Sequence, residues 1–99
     1  LAGTVTTVAA MALDLPEYDA SILHGSVVSA AAVEEVTTRL LAMSRADRAA
    51  LPFMHPGRVD VIGAGAMVLR TAMGAAGAAE VIVSETDILD GIAYRLGAR

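Results

Sequence analysis

The sequence contains no cysteine, no lysine and no tryptophan. Without cysteine a disulfide scaffold is excluded, and the absence fits a reducing compartment such as the cytoplasm. All seven basic residues are arginine, the net charge is −4, and aromatic residues make up 3% of the chain. Nucleic-acid binding, which relies on basic surfaces and stacking aromatics, therefore has little support. The composition is still compatible with a phosphate-bearing ligand, because backbone amides and a few arginines can bind phosphate in a chain without net positive charge.

Charge is also scarce, at 18% of residues, whereas hydrophobic residues make up 56%. This balance excludes a wholly disordered chain. The most apolar stretch, residues 61–79, is interrupted by Arg70 and contains four glycines. A membrane-spanning helix needs about 20 consecutive apolar residues, so no span is predicted. The chain opens without methionine and without a charged leader, and its 99 residues correspond to one small domain or a piece of a larger protein.

Periodicity and capping residues predict a mostly helical α/β chain. A strand rich in β-branched residues is predicted over 81–84, yet no convincing partner strand is found, and one strand cannot form a sheet. We therefore expect a fragment, or a chain that pairs with another chain. The helices predicted in chain order are 5–13 with Thr4 as N-cap, 29–43 with Ser29 as N-cap, Ser44 to Leu51, and 87–97 with Asp87 as cap; residues 22–24 are predicted to be extended and to end at Gly25.

Residues 58–76 admit two interpretations. Apolar residues at helical spacing favour a helix that ends at Gly77. The segment Val59-Asp-Val-Ile62, followed by Gly63 and Gly65, is instead typical of a strand and turn that bind a dinucleotide, with Glu85 placed as a ribose-binding acid. The helical set is Val59, Ile62, Ala66, Leu69 and Met73.

Two features suggest anion binding. Gly3 and Thr4 stand at a helix start, where backbone amides are free and the positive end of the helix dipole lies. Arg58 follows a Pro-Gly break, from where its guanidinium could reach an anion. The two histidines, His24 and His55, lie 31 residues apart, and neither has a carboxylate three or four residues further on, so a metal site built from them alone is not expected.

Four segments stand out when they are taken together in chain order: Ala2-Gly-Thr-Val-Thr-Thr-Val-Ala-Ala-Met11, Ile22-Leu-His-Gly25, Arg58-Val-Asp-Val-Ile-Gly-Ala-Gly-Ala-Met-Val-Leu-Arg70 and Val81-Ile-Val-Ser-Glu-Thr-Asp-Ile-Leu-Asp-Gly-Ile92. As an ordered set they resemble the Ppx/GppA family of exopolyphosphatases and guanosine pentaphosphate phosphohydrolases. The resemblance implies an actin-like fold, of which residues 1–99 would be the C-terminal portion of the second lobe in a short-form member. It also implies that residues 58–76 are helical and that Gly63 and Gly65 serve close packing.

The same resemblance implies hydrolysis of terminal phosphate from polyphosphate or guanosine pentaphosphate, with Mg²⁺ as cofactor. The phosphate-binding residues it implies are Gly3, Thr4 and Arg58. The family's catalytic glutamate and its metal-binding loop have no counterpart in this sequence, so the fragment alone is expected to be inactive, without catalytic residues or metal ligands of its own. The Ile88-Leu-Asp-Gly91 segment lacks the arginine that the family often carries there.

Two alternatives come from other classes. The first is a dinucleotide-binding half-domain that uses Gly63, Gly65 and Glu85, and it requires a strand over 59–62 parallel to residues 81–84. The second is a non-enzymatic helical module that forms a homodimer through its excess apolar surface. The remainder of a longer parent chain is the other partner expected to cover that surface.

Overall fold

The computed structural model describes residues 2–83 and 92–96. Within them, helices and a small sheet alternate along the chain, which confirms the predicted mostly helical α/β class. The elements are α1 (Ala2–Ala12), α2 (Ala20–Leu23), β1 (Val27–Ser29), α3 (Ala30–Ala42), α4 (Arg45–Ala49), a 3₁₀ helix (Pro56–Arg58), α5 (Ile62–Ala76), β2 (Ala78–Val83) and β3 (Ile92–Leu96).

Helix α1 begins at Ala2, so the prediction of Thr4 as its N-cap is wrong. Thr4 lies inside the first turn and is buried. The helix stops before Pro16, because Asp14 adopts a left-handed conformation with a φ of 55°. The amide of Leu15 then donates to the carbonyl of Ala10 at 3.0 Å, as in a Schellman motif.

The extended segment predicted over 22–24 is also wrong in part, because residues 20–23 form the short helix α2. The carboxylate of Asp19 caps this helix and accepts from the amides of Ser21 and Ile22 at 3.0 and 3.3 Å. The hydrogen bond from the Ser21 hydroxyl is the main cause of a lowered pKa for Asp19. The chain turns at Gly25, with a φ of 81°, and becomes extended in β1.

Helices α3 and α4 confirm the predictions made from their caps. The Ser29 hydroxyl accepts from the amide of Ala32 at 3.1 Å, and the Ser44 hydroxyl accepts from the amide of Asp47 at the same distance. Each cap satisfies an amide that has no partner within its helix.

Residues 59–61 form a turn and α5 follows from Ile62, so the strand that a dinucleotide motif requires is absent there. The helical spacing prevails because it places a continuous apolar face against the core. Gly77 ends the helix in a left-handed conformation with a φ of 67°, as predicted. The helix predicted over 58–76 is thus wrong over residues 58–61, and it begins only at Ile62. The apolar residues at the predicted spacing are all buried, Val59 in the preceding turn and the others in α5: Ile62, Ala66, Leu69 and Met73.

Strand β2 is the centre of a three-stranded antiparallel sheet with the order β1-β2-β3. Val28 lies opposite Val81, and Val81 lies opposite Tyr94. The expectation that β2 lacks a partner within this chain is therefore wrong. The predicted helix over 87–97 is also wrong over residues 92–96, because backbone pairing with β2 overrides the local helical pattern. Residues 84–91 and 97–99, with Asp87 and Asp90, lie outside the described residues.

The core lies where α1, α3 and α5 pack on one another and on the sheet. Alanines allow the helices to approach closely, and Ala9, Ala10 and Ala66 are fully buried. None of the helices in the described ranges is long and apolar enough to cross a membrane. The largest fully buried side chains are Leu23, Leu40, Ile62, Leu69 and Met73.

Candidate functional site

A cavity of about 560 Å³ opens between the first turn of α1 and the chain that connects α4 with α5. Its lining combines the start of α1 with the large side chains of Tyr18, Phe53 and Met54. The residues that line it are Gly3, Thr6, Thr7, Tyr18, Pro52, Phe53, Met54, His55, Gly57 and Arg58.

The cavity brings together two of the three residues predicted to bind phosphate, Gly3 and Arg58. The Arg58 side chain lies directly over Gly3, and a Cβ atom at residue 3 would overlap its guanidinium. Glycine therefore leaves the space that the arginine occupies. The Arg58 side chain is half-buried, and within residues 3–83 it forms no ion pair.

The third predicted residue, Thr4, does not line this cavity. Its hydroxyl and methyl groups point to α5, where a Cβ atom at Gly65 would overlap Thr4 Oγ1. Any contribution of Thr4 to an anion in the cavity must therefore come from its backbone amide, which lies in the first turn of α1.

Thr6 and Thr7 line the cavity, although sequence reasoning did not single them out. Their hydroxyls donate to the carbonyl of Gly3 at 3.1 and 2.8 Å. Residues three and four positions apart share a helix face, so a helix that starts at Ala2 places Gly3, Thr6 and Thr7 together. The spacing of Gly3, Thr6 and Thr7 was visible in the sequence, but it places them on one face only if the helix already includes Gly3.

The 3₁₀ helix presents Arg58 to the cavity, and His55 caps it. His55 Nδ1 accepts from the amide of Gly57 at 3.0 Å, while the carbonyl of His55 accepts from the amide of Arg58 at 2.8 Å. Pro56 occupies the first position, where a missing N–H has no cost.

Among the described residues that line the cavity there is no carboxylate, and Arg58 is the one permanently charged residue in that set. The site is therefore positive and suits an anion. A resident metal does not fit it, because the described residues contain no cluster of three or more histidine, cysteine or carboxylate side chains. The prediction that the Mg²⁺ ligands lie elsewhere in a parent chain stays a prediction.

The two glycines of the dinucleotide-like segment pack against neighbouring elements. A Cβ atom at Gly63 would lie 3.3 Å from Leu41 Cδ2, and one at Gly65 would overlap Thr4. Both lie within α5, so they support close helix packing in place of a pyrophosphate turn. Glu85 lies outside the described residues.

Comparison with known proteins gives consistent matches. Exopolyphosphatase 2 of Mycobacterium tuberculosis is 51% identical over 100 residues, which cover 97% of this chain and 31% of the relative. The chain thus spans about a third of the length of its curated relatives.

Solved structures agree on the fold. The crystal structure of an exopolyphosphatase-like protein superposes with a TM-score of 0.83 at 34% identity, covering 90% of this chain and 31% of that protein. A Ppx/GppA phosphatase of Aquifex aeolicus, a type II variant, gives a TM-score of 0.76 at 24% identity, over 83% of this chain and 28% of that one. These neighbours confirm the actin-like fold class. Because the model of the Ppx/GppA phosphatase family also matches residues 1–99, this chain belongs to that family.

Proposed function

We propose that residues 1–99 are the C-terminal portion of the second lobe of an exopolyphosphatase, and that this portion binds the phosphate chain of the substrate. The observation that carries the proposal is the half-buried Arg58 guanidinium, which lies over Gly3 at the start of α1, in a cavity whose described lining residues include no carboxylate. The substrate is polyphosphate or guanosine pentaphosphate, and the reaction is hydrolysis of its terminal phosphate.

The first turn of α1 and Arg58 have complementary roles. The amides of Gly3 and Thr4 donate to phosphate oxygens and gain from the positive end of the helix dipole. Arg58 adds a charge-assisted, two-pronged hydrogen bond. The hydroxyl protons of Thr6 and Thr7 are already donated to the Gly3 carbonyl. These threonines therefore hold the first turn in place and are not the main donors to phosphate.

Such a site contributes positioning and charge stabilisation to phosphoryl transfer, because negative charge builds on the phosphate oxygens during attack by water. The general base and the Mg²⁺-binding loop belong to the remainder of a parent chain in this proposal. The 99-residue chain is then expected to bind phosphate chains without hydrolysing them, and phosphate release from polyphosphate by the purified chain would contradict this.

Substitution of Arg58 tests the proposal. We expect Arg58→Met to weaken tripolyphosphate binding at least about tenfold, because hydrogen bonds to charged groups contribute about 1.5–3 kcal/mol. Isothermal titration calorimetry measures this affinity. Arg39→Met is the matched control. Arg39 is exposed on α3, so this substitution removes the same charge at a position outside the cavity. Equal affinities of the two variants would contradict a local role for Arg58.

Gly3→Ala tests the same site from the helix side. The added Cβ atom would displace the Arg58 guanidinium, whereas the backbone of α1 keeps its conformation because alanine favours helices. We expect weaker tripolyphosphate binding at unchanged stability. Guanosine pentaphosphate in a parallel titration separates the two substrates. The aromatic rings of Tyr18 and Phe53, which line the cavity, offer stacking surface to a guanine base, whereas a plain phosphate chain gains nothing from them.

The homodimer hypothesis retains one supporting observation. Val61, Met67 and Val68 are exposed apolar side chains at the start and on the outer side of α5, and apolar patches of this kind are often covered by partners. In our proposal the remainder of the parent chain or a second copy covers them. Sedimentation equilibrium of the 99-residue chain distinguishes a stable dimer from a monomer.

A further inference from the structure

The position of Arg58 depends on a very short element. The 3₁₀ helix has three residues, and its last residue is Arg58. Short 3₁₀ helices have poor hydrogen-bond geometry and little stability of their own. The next backbone bond, from Val59 to the carbonyl of Pro56, is long at 3.5 Å. The contacts that hold the first residues of this 3₁₀ helix therefore determine the position of the Arg58 side chain.

His55 fixes that start with both of its acceptors. Its Nδ1 atom accepts from the amide of Gly57, and its carbonyl accepts from the amide of Arg58. The ring also packs closely on Gly57, where a Cβ atom would lie 3.2 Å from Nδ1 and 3.3 Å from Cε1. Because His55 is exposed, this contact adds little to the hydrophobic core.

We propose that His55 is a positioning residue for Arg58, and that it acts as a neutral acceptor whose ring proton is on Nε2. The proposal rests on the proposed function, in which Arg58 binds phosphate. Protonated imidazole has two N–H groups and no acceptor, so acid removes the cap on Gly57. An asparagine at position 55 would keep an acceptor and carries no group that acid could protonate in this way.

The charged and titratable groups of the cavity determine how acid acts. Arg58, on the 3₁₀ helix, and Tyr18, from the segment before α2, share the cavity with His55. The lining residues that the structure describes offer no carboxylate to an imidazolium. Protonation of His55 would therefore change anion binding in opposite directions, depending on whether His55 positions Arg58 or contacts the anion itself. Loss of the cap weakens anion binding at low pH, whereas a direct contact between imidazolium and phosphate would strengthen it.

Titration of tripolyphosphate into the 99-residue chain and three variants tests the inference at pH 7.5. We expect His55→Ala to bind about fivefold more weakly, which is the effect of losing one capping hydrogen bond, and His55→Asn to bind within about twofold of the unaltered chain. Arg58→Met separates the two proposals. If Arg58→Met binds normally, the proposed function fails; if it loses binding while His55→Ala does not, the positioning role alone fails.

The same titrations at pH 5.5 give a readout that a merely structural role would not change. An imidazolium ring cannot accept the hydrogen bond from the Gly57 amide. We expect the unaltered chain to bind more weakly than His55→Asn at this pH, a comparison in which protonation of the ligand cancels. Tighter binding by the unaltered chain would identify His55 as a direct anion contact and overturn the inference.

Nuclear magnetic resonance provides a measurement without ligand. Nitrogen-15 shifts at pH 7.5 should show the ring proton of His55 on Nε2, and the Gly57 amide should exchange faster in His55→Ala than in His55→Asn. A proton on Nδ1 at this pH, or equal exchange in the two variants, would overturn the inference whatever the binding data show.

Discussion

Single residues decide how closely the helices of this chain approach one another. At Gly65 the absence of a side chain allows Thr4 of α1 to lie against the backbone of α5. The obstruction that a side chain would meet includes Thr4 Cβ at 3.2 Å, an atom attached directly to the α1 backbone. A rotation of the threonine side chain cannot relieve that contact, so the helices themselves would have to separate.

We expect Gly65→Ala to lower the free energy of unfolding by about 1–3 kcal/mol, the usual effect of overpacking a core. Gly74→Ala is the matched control, because Gly74 lies in the same helix with open space around its Cα atom. Alanine there should raise stability by about 0.5–1 kcal/mol through helix propensity. Urea unfolding measures both, and a stabilised Gly65→Ala variant would disprove the close approach.

At the scale of elements, an ion pair connects α4 to the turn before α5. Arg45 Nε lies 2.6 Å from Asp60 Oδ1, and both side chains are about two-thirds exposed, at 65% and 67%. The hydrogen bond from Arg45 lowers the pKa of Asp60 below its ordinary value of 3.8. Because the folded carboxyl holds its proton less strongly than the unfolded one, the pair stabilises the fold above this value.

This stabilisation should disappear as the pH falls from about 4 through the lowered pKa of Asp60. The thermal midpoint should fall between pH 7 and pH 2.5, and a small part of that fall should come from loss of this ion pair. We expect Asp60→Asn and Arg45→Met each to make the fall smaller by the same amount, and the double variant to make it no smaller than either single variant does. High salt should shrink the difference, since exposed pairs are screened. Midpoints recorded from pH 7 to 2.5 test this, and additive effects of the two substitutions would refute the pairing.

At the scale of the whole molecule, stability depends on one core between three helices and a small sheet. Leu69 of α5 is fully buried in it, whereas its neighbour Val68 is 53% exposed. The two residues differ in burial although they are adjacent, because a helix turns by about 100° per residue. With 21 alanines the chain has little apolar volume per residue. Each large core side chain therefore supplies a considerable share of the buried apolar surface that stabilises the fold.

We expect Leu69→Ala to cost about 2–5 kcal/mol, a large part of the roughly 5–15 kcal/mol that stabilises a typical domain. Val68→Ala should change the free energy of unfolding by less than about 0.5 kcal/mol. Circular dichroism during urea unfolding measures both values. Similar losses for the two variants would mean that the core is not where the structure places it.

Local chemistry was readable from the sequence where it acts within a few residues. The caps of α3 and α4 at Ser29 and Ser44, and the left-handed end of α5 at Gly77, each involve groups at most four positions apart. The apolar spacing of α5 was equally visible. Two local signals were missed: Asp14 as the end of α1 and Asp19 as the cap of α2.

The candidate site was predicted in part. Gly3 and Arg58, 55 positions apart in the chain, were named from motif and resemblance, and the fold places them in one cavity. Their role in phosphate binding stays a prediction. Thr6 and Thr7 were passed over in favour of Thr4, because the predicted helix began at Val5 and left Gly3 outside it, so the spacing that places Gly3, Thr6 and Thr7 on one face was not applied.

The sequence by itself determined α1, α3, α4 and α5 and most of their ends, because backbone capping and helical periodicity depend on near neighbours. Its resemblance in four segments indicated the family. Only the tertiary structure decided that β1 and β3 pair with β2 and that residues 92–96 are extended. Strand pairing satisfies backbone groups with partners far away in the chain, as Val28 does with Val81. No local pattern specifies such a partner, so the sheet follows from the packing of the whole chain.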